Sequence, residues 1–241
     1  LRQFYKDCRL IFVHSESQKK ELEAFAGEGN YQTVIVPHGP YDFSKGHHSI
    51  QIKRKQVDTV VSKGLFFGNI RDEKNLDGLL KAIALGSDNI HLTVAGSSGI
   101  PGHKNIEYYI DLANSLGLTK NITWIDSHVP EDQVANLFQS TDWVALPYKS
   151  KFTSQSGVFS IATHYSTPML ITSAPTFKEV FASYSLGEMA CDETPEKIQV
   201  ALKKLANGVK TSKYDGFANY QSHHTWEKNA SITQAAYLEA I

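Results

Sequence analysis

From Gly64 onward, short and mostly apolar runs alternate with longer segments whose apolar residues recur at helical spacing. The runs are Leu65-Phe66-Phe67, His91 to Ala95, Ile122 to Ile125, Trp143 to Leu146, Met169 to Thr172 and Glu188 to Cys191. A strand without a polar face must be covered on both sides, and the amphipathic segments in the gaps supply the covers. The pattern therefore predicts a doubly wound α/β domain around a parallel sheet. Its helices carry start and stop signals. One begins near Lys74, bears Leu76, Leu79, Leu80 and Ile83, and stops at Gly86; a second runs from Asn105 to Leu116 before Gly117. A third opens at Pro130 with Val134, Leu137 and Phe138 on one face, and a fourth opens at Thr194-Pro195 with Ile198, Leu202 and Leu205. Two further helices flank Trp226.

Upstream, the chain reads as strand then helix. Leu10 to Val13 is a short strand, and Ser15 with Gln18 forms a capping box for a helix carrying Leu22, Phe25 and Ala26. Tyr31 to Val36 is a second strand, stopped by Pro37-His38-Gly39-Pro40. The polar, basic tract from Ser44 to Lys55 reads as a solvated connection. A formal net charge of -1 excludes the basic excess that nucleic acid would need. Cys8 and Cys191 are too far apart in sequence for a disulfide framework or zinc site, so a reducing, cytoplasmic setting is expected. The histidine pairs His47-His48 and His223-His224 point apart and read as solvated, with no metal implied.

In doubly wound sheets ligands lie beyond the carboxyl ends of the strands. There, Gly68-Asn69-Ile70-Arg71-Asp72-Glu73-Lys74 sets two cations between a strand and a helix. Gly96-Ser97-Ser98-Gly99 can present backbone NH groups to an anion, and Ser156-Gly157 stands where the next helix begins. The residues alone leave two readings open: Arg71 and Lys74 pair with Asp72 and Glu73 while Ser156 simply caps a helix, or these groups hold a phosphate. Neither a dinucleotide glycine fingerprint nor a Walker loop is present, and Ser156-Gly157 lacks the glycine spacing of a hydrolase nucleophile.

Gly68-Asn69-Ile70-Arg71 with Lys74, Val129 to Val134, Leu146-Pro147-Tyr148, and Gln155-Ser156-Gly157-Val158 through Pro168 together resemble the nucleotide-sugar half of the retaining glycosyltransferases of family four, which have the GT-B fold. His14-Ser15-Glu16-Ser17 and His38-Gly39-Pro40-Tyr41 match the same group. The resemblance implies a nucleotide-diphosphate sugar donor, metal-free transfer of a hexose to a saccharide or lipid-linked acceptor, and a place in polysaccharide synthesis. It gives Arg71 and Lys74 the donor diphosphate, with Gly68 and Asn69 beside them and backbone NH groups of Ser156, Gly157 and Val158, with Gln155, on the same group. Asp126, Ser127, His128 and Val129 would hold the base, and Ser97 and Ser98 would face the nucleotide.

The family's paired acids fall at Thr153 and Ile161, and its usual arginine at Asn69, so three expected charges are absent. A catalytically silent partner module that lost donor binding is thus the alternative reading. The resemblance also divides the chain: residues 1–36 as the remnant of an amino-terminal acceptor half, 37–225 as the nucleotide-sugar domain, and 226–241 as a helix crossing back. On that reading the chain is the carboxyl-terminal portion of a longer protein, whose first half could reach the inner face of a membrane.

Overall fold

The computed structural model describes residues 1–27, 29–43, 61–86 and 89–240; the tract at Ser44 to Lys55 lies outside them. The first segment holds α1 (Arg2–Asp7), β1 (Leu10–Val13), α2 (Glu16–Ala26) and β2 (Gln32–Ile35). Next come β3 (Ser62–Phe67), a 3-10 turn at Asp72–Lys74, α3 (Leu76–Ala84), β4 (Ile90–Ala95), α4 (Ile106–Ser115), β5 (Ile122–Ile125), α5 (Glu131–Gln139) and β6 (Trp143–Leu146). The chain continues through α6 (Gly157–His164), β7 (Met169–Ile171), α7 (Pro175–Ser183), β8 (Gly187–Met189), α8 (Pro195–Lys210), α9 (Phe217–His223) and α10 (Trp226–Ala240).

The expected doubly wound sheet is present. Its six strands are all parallel, in the order β5-β4-β3-β6-β7-β8. Because side chains alternate across a strand, each strand feeds two cores. Phe66, Ala145 and Leu170 pack with α3, α4 and α8 on one face, while Leu65, Val144, Met169 and Ile171 pack with α5, α6, α7 and α9 on the other. Each fully buried Leu, Ile or Phe contributes on the order of 1.5–3 kcal/mol. Trp143 fits at the centre only because Gly64 faces it: a Cβ there would lie 2.4 Å from the indole, whose Nε1 donates to Ser62 Oγ at 2.9 Å.

The described chain departs from the sequence reading at three elements. Helix α1 precedes the first strand; it is too short for a periodic signal and is placed by packing, with Tyr5 edge-on to Phe25 at 6.1 Å. The helix expected to start near Lys74 is α3 and starts at Leu76: Asp72–Lys74 form a 3-10 turn, and the left-handed Asn75 (φ 58) separates the two. Helix α7 was not anticipated. Pro175 in its first turn signals it, and so does the parallel pairing of β7 with β8, which requires a crossover.

Strands β1 and β2 form a separate parallel pair, against which α10 packs through Phe12 and Tyr237 at 5.5 Å. Trp226 Nε1 donates to Pro40 O at 2.9 Å and Asn229 Nδ2 to Pro37 O at 2.7 Å. From the other unit, Glu179 of α7 accepts the Glu16 and Ser17 NH groups at the start of α2, at 3.2 and 2.7 Å. Among the described residues no helix is long and apolar enough to cross a membrane.

Candidate functional site

Sheet order dictates where a ligand can sit. Chain order reverses direction between β3 and β6, so the loops leaving them splay to opposite faces and open a crevice at their carboxyl ends. The loop from Gly68 to Asn75 and the loop from Pro147 to Ser156 border it. Gly68 (φ +80) turns the chain out of β3, and a Cβ on Gly96 (φ +148) would fall 2.3 Å from Gly68 O. That close approach, with Ile70 NH donating to Ser97 O at 2.9 Å, fixes the first loop on the turn after β4.

The 3-10 turn sends Lys74 back under its own loop. The side chain is 5% exposed, and its Nζ donates to Phe67 O at 3.2 Å. No carboxylate pairs with it among the described residues. Burial, then the charge of Arg71, brings its pKa down to about 7. The Tyr148 ring, whose centroid is 6.0 Å from Nζ, forms an adjoining wall. Arg71 is more exposed, and its Nε lies 3.1 Å from Glu73 Oε1 without forming a hydrogen bond.

The second loop brings the start of α6 to the same place. Ser156 Oγ accepts the Phe159 NH at 3.3 Å and lies 3.2 Å from the Tyr148 hydroxyl. Burial pushes the Tyr148 phenol up to about 12, so it stays protonated. The cap uses the Phe159 NH, and the Gly157 and Val158 NH groups, in the first turn, have no intrahelical acceptor. A Cβ on Gly68 would lie 3.2 Å from Lys74 Nζ and 3.5 Å from Val158 Cγ2, so strand end, cation and helix start converge. Tyr41 lies over Gly157, and its hydroxyl is 3.4 Å from His38 Nε2. His38 Nδ1 is 3.2 Å from Ser160 Oγ, and burial lowers the His38 pKa.

Residues named from the sequence thus fall into two sets. Gly68, Lys74, Ser156, Gly157 and Val158 gather within one crevice, with Arg71 at its edge. In the other set, Ser98 spends its NH and hydroxyl on Asp126, at 2.8 and 2.9 Å, and Ser97 O is taken by Ile70. Asn69, Asp126, Ser127 and His128 are exposed, whereas Val129 is buried in the core. Gln155 lines a cavity of about 270 Å³ together with His14, His38, Phe159, Thr176 and Tyr220. This cavity adjoins the crevice through Gln155. Ile161 is buried among core side chains, and Thr153 O accepts from Gln18 Nε2 at 3.3 Å. Sequence reasoning placed Glu73 only as a surface partner of the two cations and assigned Tyr148 and Tyr41 no contact at the site; for Tyr148 the signal was its place two residues after β6.

Comparison with known proteins bears on this geometry. Residues 51–221 match the family described as glycosyl transferases group 1. A D-inositol 3-phosphate glycosyltransferase of Corynebacterium diphtheriae is 25% identical over 185 residues, which are 73% of this chain and 42% of that protein. Sucrose-phosphate synthase from Thermosynechococcus elongatus superposes with a TM-score of 0.75 at 14% identity, covering 99% of this chain and 60% of the synthase. A TarM variant from S. aureus, in complex with fondaparinux, α-GlcNAc-glycerol and UDP, gives 0.68 at 10% identity, covering 95% of this chain and 43% of TarM. The chain thus spans between about two fifths and three fifths of these relatives.

Proposed function

The chain belongs to the glycosyl transferases group 1 family, of GT-B type, and from that premise we propose that it is the donor-binding part of a retaining hexosyltransferase of family four. The donor is a nucleotide-diphosphate sugar and the acceptor a saccharide or lipid-linked sugar. The observation that carries this is Lys74: a buried ammonium without a carboxylate partner among the described residues, facing the open NH groups at the start of α6. Burying a cation is costly unless an anion meets it, and a diphosphate supplies that anion.

Transfer forms a bond from an acceptor hydroxyl oxygen to the anomeric carbon and breaks the bond from that carbon to the diphosphate oxygen; the hydroxyl proton is lost and the negative charge is left on the diphosphate. Lys74 and the Gly157 and Val158 NH groups are fixed before that charge develops, so they stabilise it with little reorganisation, and Arg71 at the edge of the crevice adds its charge to the bound diphosphate. With two side-chain cations in that role, the proposed chemistry needs no metal. The sugar would extend past Gln155 towards the cavity, and the base past Ser97, Ser98 and the Asp126 to Val129 segment. Residues 1–36 and 226–241 would belong with the acceptor side.

A silent partner module is the second reading, favoured by the burial of Ile161, where the family places a ribose-binding acid. Calorimetric titration with UDP, GDP and ADP sugars separates the two. Saturable binding that disappears in the Arg71→Ala/Lys74→Ala double variant supports the transferase. Absence of binding to every donor, in folded protein, supports the silent module.

A further inference from the structure

Arg71 is the second cation of the crevice, and its guanidinium lies against a carboxylate of its own loop, with Nε 3.1 Å from Glu73 Oε1. We propose that Glu73 is a positioning residue that parks the Arg71 guanidinium and releases it to the donor diphosphate, so that Glu73 and the ligand compete for one cation. This rests on the donor-site reading above.

The pairing is incomplete on both sides. Arg71 Nε and Glu73 Oε1 are 3.1 Å apart, yet this buried Nε makes no hydrogen bond. The other carboxylate oxygen, Oε2, has the His103 ring nitrogen Nδ1 at 3.8 Å. That nitrogen already accepts the Asp72 NH at 3.2 Å, so its lone pair, not a proton, is engaged with the loop. His103 in this tautomer therefore gives Glu73 no second donor. A partly exposed ion pair with poor geometry contributes little and exchanges readily. A diphosphate offers the guanidinium two or more oxygens in a matching fork, which is the stronger partner.

The surroundings hold the exchange to the side chains. Asp72 Oδ1 accepts the Lys104 NH at 3.1 Å and the Tyr109 hydroxyl at 3.3 Å, and Lys149 NH donates to Glu73 O at 2.8 Å. Those bonds pin the turn at Asp72 and Glu73. Arg71 can therefore swing without unfolding its turn. Asn69 is exposed one residue after the glycine and carries no charge, so the loop has no other arginine to offer.

Inorganic pyrophosphate, the part common to every nucleoside diphosphate, is the probe. In calorimetric titrations the Glu73→Gln variant should bind it about three- to fivefold more tightly than the wild type, the scale of one partly exposed ion pair. Glu73 also acts on Lys74, raising its pKa, so a double-mutant cycle is required to assign the effect. In the Arg71→Gln background the Glu73→Gln gain should disappear. A gain that persists there means that Glu73 acts only through its field, which overturns the proposal. Equal or weaker binding by Glu73→Gln in a variant with unchanged thermal stability also overturns it, while leaving the donor site intact. Wild-type protein that binds neither pyrophosphate nor UDP refutes the donor reading and this inference together.

Discussion

Replacing Lys74 by methionine should stabilise the empty protein at neutral pH while abolishing diphosphate binding. The ammonium is 5% exposed, has one carbonyl as partner at 3.2 Å, and is 6.0 Å from an aromatic centroid that contributes at most about 1 kcal/mol. Its pKa falls from 10.5 to about 7, which at about 1.4 kcal/mol per unit puts the penalty on the charged form on the order of 5 kcal/mol. The sign follows from linkage. Between about 7 and 10.5 the unfolded chain holds a proton that the folded chain has lost, so stability rises with pH across that window. The penalty is complete below about 7 and gone above about 10.5. Methionine fills a similar volume without charge, and leaving Phe67 O unpaired costs about 1 kcal/mol. Lys74→Met should therefore gain about 3–4 kcal/mol in urea unfolding near neutral pH, and the gain should shrink towards pH 10. Millimolar pyrophosphate should raise the melting temperature of the wild type only. A variant that is less stable than wild type at neutral pH, or whose advantage does not change with pH, refutes the reasoning.

Three further substitutions test the scaffold around that lysine. Gly96→Ala places a Cβ 2.3 Å from Gly68 O at a positive φ; a loss of about 2–4 kcal/mol in chemical denaturation is expected. Ser156→Ala removes the acceptor of the Phe159 NH and the partner of the Tyr148 hydroxyl; about 1–2 kcal/mol of stability should be lost, and pyrophosphate titration should show weaker binding. Glu179→Ala uncaps the Glu16 and Ser17 NH groups at the start of α2; hydrogen exchange should rise in α2 and stay unchanged in β3 and β6, for a loss of about 1 kcal/mol.

The central sheet was legible because its inner strands, β6 and β7 above all, are apolar on both faces and the helices on one, a pattern that survives without tertiary information. Leu65 and Phe66 show why, since adjacent residues enter opposite cores. Elements fixed by partners were not legible. Helix α1 exists because Tyr5 meets Phe25, and Asn75 breaks the helix after Lys74 by adopting φ 58 while its side chain reaches Glu193 O at 3.1 Å, a bond across 118 positions. At the site, sequence order was enough to bring Gly68, Lys74 and Ser156 to one sheet edge. It could not reveal that Ser98 and Asp126 consume each other's polar groups, because that depends on the distance between two loops. Nor could it show that Lys74 is buried while Arg71, three positions earlier, is not: the 3-10 turn decides which cation points inward.

The segment at Pro37 to Tyr41 and the start of α10 are the two places where the chain passes between the β1–β2 unit and the main sheet, and Trp226 fastens them side by side. Its indole would lie 2.4 Å from a Cβ on Gly39, and its Nε1 holds Pro40 O. A second bond, from Asn229 Nδ2 to Pro37 O, and the ties of Glu179 to the start of α2 and of Gln18 to Thr153 O brace the same joint. Tyr41, whose ring covers Gly157, hangs from that braced segment. The aromatic cover over the helix start is thus carried by the connecting chain and the charge beneath it by the main sheet, so a substitution in either one can be read separately.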